Sequence, residues 1–343
     1  MHTLSLKDAM ALVEAVAIEE RMALMLWGPP GVGKSRGMAQ LARKLNAEFV
    51  DIRLSQYDSV DLRGFPGIDN ETGTTIWHPP STLPFKSNPR FSDKGLILLF
   101  LDEINGATSQ SVFAVAMQLV NERRVGEHKL RDNVAIVAAG NREGDKGVAV
   151  RMPTTMANRF KHVEVGHCVE GFVEHGTEEG WLPPAGVAFH FFRKELISTF
   201  DPSKPDKSFA TPRTWEDFWR LFVKTTMPEN IKMAACAGAV GDGPAVEVFG
   251  FNDIWKKMVP MSEIEKDPEG VKIPEEASMQ YALGVAVSGT MNAKNITSFH
   301  KFLLRLDPAI TIIAWQLATK RDKKLFETKQ FIEFSKKFKV VFA

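Results

Sequence analysis

The decapeptide LWGPPGVGKS, residues 26–35, carries the spacing G-x-x-x-x-G-K-S from Gly28 to Ser35. A backbone needs that spacing to wrap around a phosphate. An apolar run at 22–27 precedes it and a helical pattern at 34–45 follows, so the local reading is strand, loop, helix. The glycines Gly28, Gly31 and Gly33 let successive N–H groups turn inward around phosphate oxygens, and the opening helix adds its positive end. Lys34 can reach β- and γ-phosphates, and Ser35 can hold Mg²⁺. Pro29, Pro30 and Val32 inside the loop and Arg36 just beyond it complete the expected nucleotide-contacting set.

Outward from the loop, strands alternate with helices. Ser5 can cap a helix running to about residue 20, and apolar strands are expected at 22–27, 48–52, 96–101, 134–139 and 161–165, with a helix at 109–122 on a Phe113, Met117 and Val120 stripe. That order makes an α/β unit with a five-stranded parallel sheet. Residues 54–94 form a long Pro- and Gly-rich insertion of the kind that is usually functional, with one hairpin strand expected at 72–77 and a second small hairpin at 123–132. Beyond 165 the pattern is helical, at 187–199, 214–225, 230–240 and 245–258. A polar linker at 262–276 then leads to helices at 278–287, 296–306, 309–319 and 329–337. The expected domains are a nucleotide-binding core over 1–165, a helical domain over 166–260 and a C-terminal helical extension over 261–343.

The strand at 96–101 ends in Asp102 and Glu103. A sheet would deliver Asp102 beside Ser35 and its Mg²⁺, while Glu103, one residue further, can polarise a water for attack on the γ-phosphate. The next strand ends at Asn141. Groups at the carboxyl ends of neighbouring parallel strands converge on one crevice, so Asn141 could hold that water from the second side. A solvated helix cap at Asp102 and Glu103, or a turn-forming Asn after Gly140, are the plain alternatives.

Composition narrows the class. At 343 residues with 44% hydrophobic content, two domains with a substantial core are expected. Lys plus Arg number 43 against 42 Asp plus Glu, a net charge of +1, which argues against a surface built wholly for nucleic acid but leaves a local basic patch open. Cys168 and Cys236 are the only cysteines and form no C-x-x-C, so neither a disulfide scaffold nor a zinc site is expected and a reducing compartment fits. No export signal and no 18-residue apolar stretch is present in the sequence, and a cytoplasmic protein without membrane insertion is expected. His162, His167 and His175 lack metal-ligand spacing. His78 beside Trp77 reads equally as a packed loop histidine or a partner contact, and Lys336, Lys337 and Lys339 as a solvated helix face.

The stretches LWGPPGVGKS, LLFLDE (98–103), AAGN (138–141), MANRF (156–160) and FATPRT (209–214) resemble the AAA+ ATPases, and within them the MoxR-like group. Asp61, Leu62, Arg63 and Gly64 resemble that group's D-L-x-G stretch, residues 117–124 its M-x-E-R-x-V segment and 157–160 its L-D-R-F, with Asn158 where the group has Asp; 79–89 departs from the group's wording. The resemblance covers about residues 5–240. It implies a P-loop NTPase αβα core followed by a helical lid, with ATP and Mg²⁺ as ligands. It further implies that Arg159 is an arginine finger serving a neighbouring subunit, with Arg151 in the same connecting stretch as a second candidate. Arg213, which opens a helix where its charge opposes the helix dipole, would be a lid sensor of the γ-phosphate. A homo-oligomeric ring, a hexamer in this family, and a protein partner, often one with a von Willebrand A domain, follow from the same resemblance. An AAA+ nucleic-acid motor and a nucleotide-gated assembly protein with little turnover remain open as other classes, and the helices from 278 onward match no motif.

Overall fold

Two strands that are apolar but for Asp102, Ile97–Asp102 and Val134–Gly140, are buried at every position, as strands covered on both faces must be. They form the middle of a parallel sheet in a computed structural model that describes residues 2–107, 109–142, 144–145, 152, 154–224 and 226–339. In chain order the strands are β1 (Thr3–Leu4), β2 (Leu24–Trp27), β3 (Glu48–Arg53), β4 (Phe65–Ile68), β5 (Thr75–His78), β6 (Ile97–Asp102), β7 (Arg124–Val125), β8 (His128–Lys129), β9 (Val134–Gly140) and β10 (Lys161–Val165). Six of them make one parallel sheet in the order β1-β10-β2-β9-β6-β3. All five expected strands are present. The sheet is nevertheless six-stranded, because β1 adds to the edge through β10, and two residues are too few to show any alternation in the sequence.

Successive side chains of a strand point to opposite faces, and β6 divides accordingly. Ile97, Leu99 and Leu101 enter one core and Leu98 and Phe100 the other. The first is covered by the helix Gln110–Glu122 through Val112, Val115, Ala116 and Leu119. The second is covered by α1 (Leu6–Leu12) and α2 (Lys34–Lys44), the latter burying Met38, Leu41 and Ala42. The Ser5 hydroxyl caps α1 by accepting from Asp8 N at 3.1 Å. The chain then widens into a π-helical stretch, Val13–Glu19, where a plain helix was expected. The result is the αβα core that the sequence implied.

The insertion holds a short helix, Ser59–Arg63, and the antiparallel β4–β5 hairpin. Gly64 turns the chain between them with φ +92°, and a Cβ there would sit 2.0 Å from His78 O, so glycine is required. The small hairpin at 123–132 is β7–β8.

Two compact units divide the chain, one of Met1–Gly171 with Asp201–Pro205, the other of Phe172–Phe200 with Asp206–Ala343. The second is helical. The helix expected at 187–199 is Pro184–Phe192 followed by a 3₁₀ turn, Lys194–Ile197, because Arg193 leaves helical geometry and pairs with Glu195 and Glu247. Within the expected linker, Met261–Lys266 forms a helix that buries Ile264 completely. Val169–Glu178, a helix the sequence did not suggest, contains Gly171 and Gly176, which depress helix propensity. A Cβ on Gly176 would lie 2.7 Å from the Trp181 ring. Among the described residues no helix is long and apolar enough to cross a membrane.

His190 is fully buried in this unit, accepting at Nε2 from Trp219 Nε1 at 2.8 Å, with the Phe172 and Trp215 rings each 4.8 Å away. Burial pushes its pKa down to about 3. As pH falls below about 6.5, the unfolded chain takes up a proton that the folded unit refuses, so stability is lost with acidification. The expected share is about 2 kcal/mol between pH 7 and pH 5. Denaturant midpoints read by Trp fluorescence check this: His190→Gln should flatten the pH profile, and an unchanged profile would exclude the assignment.

Candidate active site

The loop of residues 28–35 is fixed at its start by the sheet. Gly28 N donates to Gly140 O at 3.3 Å, which continues the β2–β9 ladder, and a Cβ on Gly28 would lie 2.6 Å from Val165 O. Gly31 (φ +77°) and Gly33 (φ +105°) hold the left-handed turns that side chains resist. At the first turn of α2, Lys34 is only 8% exposed, and its Nζ donates to Gly28 O at 2.7 Å and Pro29 O at 3.2 Å. Pro29 and Val32 are buried beside it, and Arg36, two residues on, is exposed.

Ser35 Oγ donates to Asp102 Oδ2 at 2.6 Å, and Asp102, at the end of β6, is 5% exposed. Its other oxygen accepts from Glu103 N at 2.9 Å. A hydroxyl and a carboxylate oxygen at this separation are hard donors of the kind Mg²⁺ takes, so the pair fits the metal expected of it.

Glu103 has φ +52° and ψ +41°, a left-handed conformation that costs a non-glycine residue roughly 1–2 kcal/mol. The half-exposed carboxylate of Glu103 accepts a hydrogen bond from Ser55 Oγ and lies 4.0 Å from Arg53 Nε, while Arg53 Nη2 lies 4.0 Å from Asp102 Oδ2. Neither Arg53 nor Ser55 was anticipated. The β3–β6 register sets Arg53 opposite Asp102, and the 3₁₀ turn Leu54–Gln56 brings Ser55 back to Glu103. Nothing near either residue in sequence signals this, since it follows from which strands are neighbours.

Asn141 follows β9, and its backbone is clamped by Asn105. The Asn105 Nδ2 donates to Asn141 O at 2.8 Å and Asn105 Oδ1 accepts from Asn141 N at 3.3 Å. Asn105 is 4% exposed and lies two residues after Glu103, a position that could have drawn attention as part of the same strand end. A Cβ on Gly140 would stand 2.6 Å from Asn105 Oδ1 and 2.9 Å from Met25 Cε. Gly140→Ala should therefore displace the clamp and lower any hydrolysis rate by about 10²-fold, the usual penalty of a misplacement near 1 Å. Steady-state kinetics alongside circular dichroism would check it, and an unimpaired rate would show that the clamp does not matter.

On the side of β10, Arg142 forms a two-pronged pair with Asp145 (Nε to Oδ2 3.0 Å, Nη2 to Oδ1 2.9 Å) and reaches Glu164 at 3.2 Å; these acids hold its pKa above the usual value. His167 lies within the field of Arg142 and Lys34. Burial first, and then those two cations, push its pKa down to about 4. Its Nδ1 has no hydrogen-bond partner among the described residues.

The three arginines are placed differently. Arg159 is exposed on the turn between Thr154–Ala157 and β10, with no hydrogen-bond or ion-pair partner among the described residues. Arg151 lies outside the described residues. Arg213 is exposed in the first turn of the helix Pro212–Lys224, in the second unit. The structure thus brings Lys34, Ser35, Asp102, Glu103 and Asn141 to the carboxyl ends of β2, β6 and β9.

Residues 23–156 match the family model described as the AAA domain of the dynein-related subfamily, a span that contains all of those groups. Solved structures with a similar chain course include a candidate ATPase from Cytophaga hutchinsonii, 14% identical, over 91% of this chain and 81% of that one, at a TM-score of 0.36. A mutant of Thermotoga maritima RuvB matches at 13% identity over 89% and 91% of the two chains, at a TM-score of 0.43. Neither likeness is close enough to say anything of activity.

Proposed function

Residues 23–156 are an AAA domain of the AAA+ ATPase superfamily, and from that premise we propose that the chain is a MoxR-like ATPase, hydrolysing ATP with Mg²⁺ at the subunit junctions of a hexameric ring to remodel or activate a partner protein. The observation that carries the reading is the 2.6 Å Ser35–Asp102 bond, with Glu103 beside it in a left-handed turn. Mg²⁺, when bound by Ser35 and Asp102, would neutralise charge on the β- and γ-phosphates.

The remaining work belongs to the chain. Backbone N–H groups of 28–35 hold the phosphate oxygens, and Lys34, already confined to the loop by two carbonyls, adds its charge there. Glu103 accepts the proton of the attacking water at a carboxylate oxygen, and Asn141 orients that water from the adjoining strand. Arg159, exposed and unpaired among the described residues, serves the neighbour's γ-phosphate, with Arg151 as a second candidate and Arg213 as the group on the helical lid. The MoxR-like stretches, including Asp61 to Gly64, support a protein partner, a von Willebrand A domain being the first to test.

Phosphate release from ATP with and without a chelator, together with assembly size with and without nucleotide, tests the proposal. Chelator-sensitive turnover in a ring is expected. Absence of turnover in every assembly would overturn it.

A nucleotide-gated assembly protein with little turnover is a second reading, favoured by one observation: Ser55 and Arg53 engage the Glu103 carboxylate. Ser55→Ala separates the two. Loss of one charge-assisted hydrogen bond should raise basal turnover roughly tenfold if Glu103 is a restrained base. No change in rate would show that Ser55 does not restrain it.

A further inference from the structure

Trp27 ends β2 and is bonded directly to Gly28, the first residue of the phosphate loop. Its indole Nε1 lies 2.8 Å from His162 Nδ1, with the two ring planes 11° apart. The other imidazole nitrogen, Nε2, lies 2.6 Å from Ala157 O. An indole N–H can only donate and a carbonyl can only accept, so His162 must accept at Nδ1 and donate at Nε2. Both ring nitrogens are used, and the tautomer is fixed by its two partners.

The Ala157 carbonyl does more than receive this proton. It also accepts from Phe160 N at 3.1 Å, which closes the turn 157–160 on which Arg159 stands. The Phe160 ring meets the His162 ring edge-on at 6.1 Å. Immediately afterwards Lys161 N donates to Ala23 O at 2.9 Å, where the β10–β2 pairing begins. Arg159 itself has no described partner, so the place of its guanidinium depends on how its turn is anchored.

We infer that His162 is a positioning residue that links the strand feeding the phosphate loop to the turn displaying Arg159, through Trp27 Nε1–H, the imidazole and Ala157 O. A shift of the end of β2 when the loop closes on phosphate is passed to the arginine offered to the adjoining subunit. The nucleotide state of one site thereby biases hydrolysis in the next, a coupling between two sites through one hydrogen-bonded chain. This rests on the reading of Arg159 as a finger acting between subunits.

Three substitutions at His162 divide its two bonds. His162→Phe keeps a ring and loses both, His162→Gln keeps an N–H for Ala157 O, and His162→Asn keeps an acceptor for Trp27. In steady-state ATP hydrolysis by the assembled protein, His162→Phe should lower kcat at least about tenfold with KM unchanged. Gln should recover most of that loss and Asn little of it. In an Arg159→Ala background His162→Phe should have no further effect. Additive losses or a rise in KM instead of a fall in kcat would overturn the inference, as would equal rates for Phe and wild type where Arg159→Ala itself lowers kcat.

Amide hydrogen exchange reads the link without relying on turnover. ADP added to wild type should change protection at residues 157–160, and His162→Phe should abolish that change. If ADP still alters these amides in the Phe variant, the relay is wrong whatever Arg159 does. If Arg159→Ala leaves kcat intact while His162→Phe abolishes the exchange response, the finger reading fails and the relay stands. Should the Phe variant fail to fold, the Gln and Asn pair carries the same comparison.

Discussion

Glu103→Gln is expected to lower ATP turnover by about 10²–10⁴-fold, the contribution usual for a positioned general base, while nucleotide binding persists. The amide has nearly the shape of the carboxylate and can still accept from Ser55 Oγ, so the left-handed turn and the Asp102–Ser35 pair have no reason to move. What is lost is the group proposed to take the proton from the attacking water. Single-turnover phosphate release, set beside equilibrium binding of ATP, separates the two effects. A rate within twofold of wild type would remove Glu103 as the base, and lost binding would show that its charge holds the site together instead. If the prediction is met, the variant retains ATP and becomes the form in which a partner can be captured.

Arg159→Ala should be at least as damaging. A finger that balances charge on the transferred phosphoryl group contributes about 10³–10⁵ in kcat. Because Arg159 is exposed and makes no hydrogen bond or ion pair with a described residue, the substitution should change the subunit's own stability by no more than about 0.5 kcal/mol. Mixing experiments show on which side of the junction it acts. An Arg159→Ala subunit keeps an intact base, and a Glu103→Gln subunit keeps an intact finger. If the finger works across the junction, a mixture regains turnover that neither protein has alone. No recovery in mixed assemblies of proven composition would assign Arg159 to its own site or to none.

The candidate site was legible to unequal degrees. Gly28, Gly31 and Gly33 are recognisable because backbone geometry excludes a Cβ there, and Lys34 and Ser35 because they follow at fixed covalent spacing. Asp102 and Asn141 could be named because each ends an unbroken apolar strand, and burial on both faces leaves few other ways to fold such a run. Arg53 and Ser55 could not, since their contacts with Asp102 and Glu103 depend on β3 lying beside β6. The π-helical stretch and the helix Val169–Glu178 escaped for the opposite reason, because tertiary packing overrode weak local preference.

By itself the sequence determined the αβα class, the strand–loop–helix course around residues 28–35 and the place of Asp102 and Glu103 at a strand end, because these rest on periodicity, steric exclusion and short covalent separations. Only the tertiary structure decided what surrounds them: Ser55 and Arg53 on Glu103, Asn105 on Asn141, and the Trp27–His162 bond across a separation of 135 residues. The order of parallel strands sets those meetings. That order follows from how the crossovers pack both faces of the sheet, a property of the whole core that no local window of sequence contains.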